Sequence, residues 1–295
     1  MTDYNGFLVV NKRKGIGSTD YVRMVKKIFN QKKVGHSGTL DLLASGVLVV
    51  CLGRATKTIE YLQKEKKTYI ASIKFGKATD TLDAEGKVTE STDEKVSIDD
   101  LNMILNDFVG KITQIPPMYS ALKYKGQRLY DLARQGISID RKERLTTIYS
   151  IELLDFSFEK QEAKIKTQVS AGTYIRTLVD DIGRALGNFA YMSDLERIQC
   201  SGFSIDQAID FIEEDEDFIK SSLIDIDDIH LDMEKIILSD EALIKRLKNG
   251  MTEPFNSQYK NGTYLIYEQN KILGIANIFT TAKGTMLKLT KHLYV

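Results

Sequence analysis

One loop holds the side chains best suited to chemistry. The segment Val34 to Cys51 (VGHSGTLDLLASGVLVVC) places three glycines around one histidine, His36, and one aspartate, Asp41. Glycines allow a backbone to come close to a ligand. A carboxylate in such a loop can act as a nucleophile, but an aspartate between glycines is also common as a turn or cap residue. The pattern alone leaves both interpretations open.

Motif spacing argues against several other kinds of site. The loop lacks the GxxxxGK[ST] pattern of a phosphate-binding loop, and Ser37 lies in HSGT rather than in the GxSxG of serine hydrolases. Cys51, Cys200 and three scattered histidines do not have zinc-ligand spacing, so each cysteine is expected to be a small buried group. The segment Asp80 to Gly86 (DTLDAEG) lacks the alternating acidic residues of a calcium loop and is expected to be a polar turn. No metal or cofactor is therefore expected.

Composition and charge limit the class of protein. The chain has 295 residues, of which 42% are hydrophobic and 28% charged, as in a soluble globular protein of one large and one small domain or two similar ones. No run approaches the roughly 18 apolar residues of a membrane span, and the first residues lack a secretory pattern. A cytoplasmic protein that does not enter membranes is expected.

The charges are separated along the chain although Lys+Arg and Asp+Glu both total 41. Residues 1–77 contain 15 basic and 5 acidic side chains, residues 205–240 contain 2 and 13, and residues 241–295 contain 8 and 3. Two basic parts separated by an acidic one fit either two positive surfaces for a polyanion or ordinary solvated faces.

A tyrosine-rich segment in the middle of the chain also fits nucleic acid. Residues 115–144 interleave Tyr119, Tyr124 and Tyr130 with seven Lys and Arg side chains, after a rigid Pro116–Pro117 pair. Cations can meet phosphates while aromatic faces stack on bases. The alternative is a helical hairpin whose tyrosines belong to a core.

Hydrophobic periodicity predicts strands mixed with helices in no regular alternation, which favours an α+β fold. The predicted elements are a strand at 7–11, a helix at 19–32 capped by Ser18 or Thr19, alternating strands at 69–75 and 165–169, a helix at 173–186 capped by Thr173 and ended by Gly187, and, after a boundary near residue 235, a helix at 239–249 followed by strands at 263–267, 272–279 and 286–289.

The segment GHSGTLDLLASGVL closely resembles the signature of the TruB family of tRNA pseudouridine synthases, which usually reads GH-T/S-GTLDPLATGVL. Further matches follow in family order: FLVVNKRKG, YIASIKFGKATDTLDAEG, QIPPMYSALKYKGQRLYDLARQG, AGTYIRTLVDDIG and LERIQCSGF. The resemblance implies a catalytic domain at 1–234 with a mixed, largely antiparallel sheet and an RNA-gripping insertion at about 115–145. A small β-rich RNA-binding domain of the PUA type would occupy 235–295.

The resemblance also implies a reaction, the isomerisation of uridine 55 in the T loop of tRNA from an N1 glycoside to a C5 glycoside. The uridine would be flipped out of the loop. Asp41 would be the nucleophile, attacking either uracil C6 or ribose C1′. Arg176 would pair with this carboxylate, keeping it ionised and aimed. Tyr69 would stack on the uracil and assist deprotonation.

Four further residues receive roles from the same resemblance. Tyr174 and Leu195 would form the pocket wall, His36 would fill or brace the space that the flipped bases leave, and Lys12 would belong to the N-terminal scaffold of the site. The partner would be the T arm of tRNA, bound by a monomer without cofactor or metal. Two other functions are weighed against this one: a tRNA-folding chaperone with little or no turnover, and a metal-dependent hydrolase that uses DTLDAEG.

Overall fold

The structure, a computed structural model, describes residues 4–120 and 122–294, without the side chains of Lys123 and Arg128, two of the cations predicted for the nucleic-acid grip. In that part of the chain, the α-helices are α1 (Ser18–Ile28), α2 (Ile59–Leu62), α3 (Ile98–Asp107), α4 (Leu129–Arg134), α5 (Ile175–Ala185), α6 (Glu216–Ser221) and α7 (Glu241–Lys248). The strands are β1 (Gly6–Lys12), β2 (Val34–His36), β3 (Ser45–Leu52), β4 (Lys67–Phe75), β5 (Lys77–Thr79), β6 (Val88–Ser91), β7 (Gly110–Gln114), β8 (Lys123–Tyr124), β9 (Gln127–Arg128), β10 (Arg144–Ser157), β11 (Glu162–Val169), β12 (Ala190–Cys200), β13 (Phe203–Ser204), β14 (Ile224–Asp225), β15 (Lys235–Leu238), β16 (Thr252–Pro254), β17 (Gly262–Glu268), β18 (Lys271–Thr281) and β19 (Gly284–His292).

Among the described residues, ten strands form one large sheet. Eight of them lie in the order β14-β1-β3-β12-β4-β11-β10-β7, while β2 pairs with β3 and β13 with β12. The pairs are antiparallel except for β3 with β12, where Ser45 and Gly46 lie opposite Glu196 and Arg197. The expected α+β fold with a mixed, largely antiparallel sheet is confirmed. The parallel contact brings the end of the glycine-bounded loop beside β12.

The alternating strands follow the predicted pattern. Tyr69, Ala71, Ile73 and Phe75 of β4 are buried, whereas the residues between them are partly exposed. Strand β11 repeats the pattern beside it. Helix α5 covers this face of the sheet, and its apolar side shares one core with β4, β11 and β12. Period-2 alternation therefore located the face on which the site is built.

Both predicted helix caps are wrong. Helix α1 starts at Ser18, but the Ser18 hydroxyl bonds to Leu40 in the glycine-bounded loop, and Asp20 accepts the backbone N–H of Gly17 instead. Helix α5 starts at Ile175 after Tyr174, two residues later than predicted, and the Thr173 hydroxyl donates to a nearby turn carbonyl. A tertiary contact takes the first hydroxyl, and a local turn takes the second.

The tyrosine-rich segment differs from the helical hairpin given as an alternative. It contains a short β-hairpin, β8 with β9, followed by helix α4. Tyr124 is exposed, and the Arg134 guanidinium carbon lies 4.3 Å from the ring centre of Tyr130. Leu129 and Leu132 turn inward instead and are buried. The exposed aromatic and cationic groups are therefore free to meet a partner.

The C-terminal residues form a second sheet, in the order β15-β17-β18-β19-β16. The three predicted strands are present, while the short strands β15 and β16 were not predicted. Leu265, Ile275 and Leu293 from this part belong to the same buried cluster as Phe7 and Phe203 of the large sheet. The two sheets thus share one apolar core. No helix in the described ranges is long and apolar enough to span a membrane.

This shared core predicts coupled unfolding. Leu293 is fully buried, so Leu293→Ala should lower the free energy of unfolding by about 2–5 kcal/mol through lost burial and a cavity. Chemical denaturation should show one transition, displaced for both sheets. Leu145→Ala, the same change at a side chain that is 79% exposed, is the matched control and should have little effect. Two independent transitions, with only the C-terminal one displaced, would contradict a shared core.

Candidate active site

Asp41 lies in the glycine-bounded loop between β2 and β3, and contacts from the N-terminal segment fix this loop. The backbone N–H of Gly15 donates to the carbonyl of Leu42 at 2.9 Å. The Ser18 hydroxyl accepts the N–H of Leu40 at 3.0 Å. The Lys12 ammonium donates to the carbonyl of Ala44 at 2.6 Å. Three alternate positions of the loop, at residues 40, 42 and 44, are therefore held by hydrogen bonds from outside it.

The far end of the loop is held by strand β12. Gly46 has φ of +100°, a conformation that favours glycine, and a Cβ there would overlap the backbone of Arg197. The Arg197 side chain donates from Nε to the carbonyl of Val47 at 2.8 Å and from Nη2 to the carbonyl of Gly38 at 3.1 Å. One side chain thereby joins the two ends of the loop.

The first turn of α5 brings a guanidinium to Asp41. Arg176 Nη2 donates to Asp41 Oδ2 at 2.8 Å, and Nη1 donates to Asp83 Oδ2 at 3.3 Å. The side chain of Arg176 is 8% exposed, that of Asp83 is 4% exposed, and that of Asp41 is 44% exposed. The guanidinium therefore bridges one buried carboxylate and one that faces outward. Only the outward carboxylate is accessible to a ligand.

Asp83 is a site residue that motif reasoning missed. It lies in the segment expected to be a polar turn, and the segment does form a turn, but the Asp83 side chain points inward. Its Oδ1 accepts the Thr81 hydroxyl at 2.6 Å and the backbone N–H of Glu85 at 3.1 Å, leaving Oδ2 for Arg176. The preceding residue, Leu82, has φ of +64°, which turns the chain inward. No residue pattern signals this burial.

The floor beside Asp41 is apolar. Tyr69 of β4 and Leu195 of β12 are buried in the same cluster as Leu40 and Ala44 of the loop. Burial raises the pKa of Tyr69, and the nearby Arg197 guanidinium opposes part of that rise. Tyr69 is thus a neutral phenol at neutral pH. A flat, uncharged group packed against this floor would contact both side chains.

Tyr174 lies two residues before Arg176, and His36 lies five residues before Asp41. Tyr174 precedes α5, and the Gln114 side chain bonds to both its backbone N–H and its carbonyl. His36 ends β2, and its buried Nδ1 has no hydrogen-bond partner among the described residues. Burial, aided by Arg197, lowers the pKa of His36. The His36 imidazole is therefore neutral at neutral pH, and its Nδ1 is enclosed by the protein.

Lys12 is fully buried against the loop. Its burial lowers its pKa to about 8, an effect that Asp41 opposes and Arg197 reinforces. Lys12 is therefore bonded directly to the loop that carries Asp41, through the carbonyl of Ala44. In the described ranges, no group of three or more His, Cys, Asp or Glu side chains is arranged to hold a metal ion.

Comparison with solved structures gives the class of fold. The chain superposes on the structure titled "Crystal Structure of a Cbf5-Nop10-Gar1 Complex" with a TM-score of 0.75 and 24% identity, covering 98% of this chain and 84% of that one. A second, "Structure of H/ACA RNP bound to a substrate RNA containing 2'-deoxyuridine", gives a TM-score of 0.72 and 22% identity over 98% and 85% of the two chains. The fold is therefore that of the Cbf5-type chains.

Sequence comparison then gives the family. The family model "TruB family pseudouridylate synthase (N terminal domain)" matches residues 26–175. A "tRNA pseudouridine synthase B" from Fusobacterium nucleatum subsp. nucleatum is 44% identical over 280 residues, covering 92% of this chain and 95% of that protein. One from Clostridium novyi (strain NT) is 42% identical over 293 residues, covering 98% and 99%. The chain belongs to the TruB family of pseudouridylate synthases.

The lowered pKa of Lys12 predicts a pH-dependent stability. Between about pH 8 and 10.5, the unfolded chain holds a proton on this side chain that the folded chain has released. The folded state therefore gains stability as pH rises through that window. The free energy of unfolding of the wild type, minus that of Lys12→Met, should increase over the same range. Denaturation across pH measures it, with Lys26→Met, at an exposed lysine, as the control. A difference that does not change with pH would contradict the burial of a charged Lys12.

Proposed function

We propose that this protein isomerises uridine 55 in the T loop of tRNA to pseudouridine, with Asp41 as the nucleophile. The proposal follows the name of the full-length relatives and the residues carried over from the family signature. The observation that carries it is the half-exposed Asp41 carboxylate held at 2.8 Å by the buried Arg176 guanidinium. A carboxylate fixed in this way is aimed and accessible, as a covalent catalyst requires.

Apart from this carboxylate, the reaction needs few chemical groups from the protein. The C1′–N1 glycosidic bond of uridine breaks and a C1′–C5 bond forms, while C5 loses a proton and N1 gains one. Atoms and electrons balance without an oxidant, a reductant or added water. The uracil must detach, turn and rejoin inside the site, so the walls must hold it without bonding it in one orientation. Tyr69 and Leu195 supply an apolar floor for that rotation.

The protonation state of Tyr69 bears on its share of the reaction. As a neutral phenol, it can pack against the uracil in the resting site. Acceptance of the C5 proton would require the phenolate, which burial disfavours. Tyr174 and His36 are proposed to complete the surroundings of the flipped nucleotide, His36 with a neutral ring. Lys12 keeps its role as a scaffold residue through its bond to Ala44.

The RNA must reach this site from the surface. Extrusion of a base costs a few kcal/mol, which contacts to the RNA backbone must offset. The tyrosine-rich segment at 115–145 and the basic C-terminal domain at 235–295, of the PUA type, are proposed to supply those contacts. The enzyme would act as a cytoplasmic monomer.

The role of Asp41 is tested by Asp41→Asn, which keeps the size of the side chain and removes its charge. Single-turnover pseudouridine formation should be abolished, because an amide is not a nucleophile, while the Kd for tRNA should stay within about threefold. Asp217→Asn, at an exposed carboxylate of α6, is the control and should behave as wild type. Modification by the Asp41 variant at the wild-type rate would refute the assignment. A wild type that binds and folds tRNA without making pseudouridine would instead favour the chaperone.

The pairing geometry is tested by Arg176→Lys, which keeps the charge but loses the planar fork. One ammonium cannot reproduce the guanidinium's two directed bonds to Asp41 and Asp83, so the rate of chemistry should fall by about 100-fold or more with a small change in tRNA affinity. Arg184→Lys, on the outer face of the same helix, is the matched control. Equal losses of rate and affinity would mean that Arg176 mainly holds RNA.

A further inference from the structure

Arg197 carries a buried positive charge without an acidic partner. Its side chain is 1% exposed, and among the described residues it forms no ion pair. Its hydrogen bonds go to the carbonyls of Gly38 and Val47. By contrast, the other buried guanidinium of the site, Arg176, has two carboxylates.

Burying such a charge in a core costs free energy. A buried ion loses its hydration, and without a counter-ion it recovers that loss only through hydrogen bonds. An apolar side chain of similar size would fill the same volume without this penalty. Stability alone therefore does not account for an arginine here, and the positions of its hydrogen-bond partners suggest what does.

Arg197 connects two different parts of the site. Gly38 and Val47 flank the loop that carries Asp41, so the two bonds from Arg197 fix the distance between the two ends of that loop. Tyr69 lies on β4, directly opposite Arg197 in the strand register. On its other side, β12 places Arg197 opposite Gly46 of β3. Arg197 thus holds the Asp41 loop from the strand position directly beside Tyr69.

The charge of Arg197 also acts on the other groups around the loop. It reinforces the lowering of pKa that burial causes in Lys12 of β1, His36 of β2 and Lys67 of β4. Lys67 directs its ammonium away, to the carbonyls of Gln63 and Glu65. Asp41 and Glu85 oppose the lowering of the pKa at Lys12, and Glu65 opposes it at Lys67.

We propose that Arg197 is a positioning residue for the isomerisation, one that sets the separation between the nucleophile loop and the ring of Tyr69. The inference rests on the proposed function. Two directed bonds from one planar group are required, because the two ends of the loop must be fixed to each other and to β12, the neighbour of Tyr69. Lysine can place a charge there but cannot hold both carbonyls in fixed directions.

The test compares Arg197→Met and Arg197→Lys with the control Arg184→Met. With saturating tRNA, the single-turnover rate of Arg197→Met should fall by about 100-fold or more, while the Kd for tRNA stays within about threefold. Arg197→Lys should recover about tenfold of that loss, because charge and one bond remain. If Arg197→Met does not fold, Arg197→Lys carries the test through its rate deficit at unchanged affinity.

A cycle with Tyr69→Phe separates positioning from simple stabilisation. Because Arg197 is proposed to position the loop relative to Tyr69, its neighbour in the strand register, Arg197→Lys should cost less in the Tyr69→Phe background than in the wild type. A lower Tm with a wild-type rate per folded molecule, or rate losses that multiply independently, would overturn the proposal. Wild-type protein that makes no pseudouridine would overturn the proposed function itself, whereas an active wild type with wild-type-like Arg197 variants would overturn this inference alone.

Discussion

The site depends on one guanidinium held between two carboxylates. Arg176 is buried, and Asp83 supplies a counter-charge that is equally buried and fixed by its own turn. Because that half of the pairing is fixed, the other half can be the half-exposed Asp41. In a single Asp–Arg pair, burial would hide the carboxylate, whereas exposure would weaken the pairing. With Asp83 as a second partner, Arg176 stays buried while the Asp41 carboxylate remains accessible.

The rest of the fold serves to hold the loop against this guanidinium. Leu42 occupies the position where the family signature usually has proline, so the backbone after Asp41 has no fixed φ of that kind. Hydrogen bonds from Gly15, Ser18 and Lys12 restrain the loop instead, and Arg197 closes its neck. Some of the basic residues in the N-terminal segment therefore stabilise the fold and are not free to attract phosphates. Lys12 is buried, and Arg13 is paired with Asp210 and Glu213 of the acidic stretch.

Periodicity predicted the parts of this architecture that repeat. The alternation along β4 and β11 and the helical spacing of α5 are local properties, so one sequence contains them in full. The Ser18 cap failed because its hydroxyl bonds to a loop 22 residues away. Asp83 and Arg197 could not be found from the pattern, since a charged side chain is predicted to be exposed unless its partner is known. Those partners lie 93 and 159 residues away in the chain, at Arg176 and Gly38. The family signature pointed to Asp41 and Arg176, yet their 2.8 Å separation is a property of the fold alone.

The central claim is that the Asp41 carboxylate acts on RNA. The most direct measurement is nucleotide-resolution mapping of pseudouridine in unmodified tRNA incubated with the purified full-length protein. The expected result is one new pseudouridine, at position 55 in the T loop, formed without added metal or cofactor. A tRNA that is bound but carries no new pseudouridine, or a modification at other positions with uridine 55 unchanged, would contradict it.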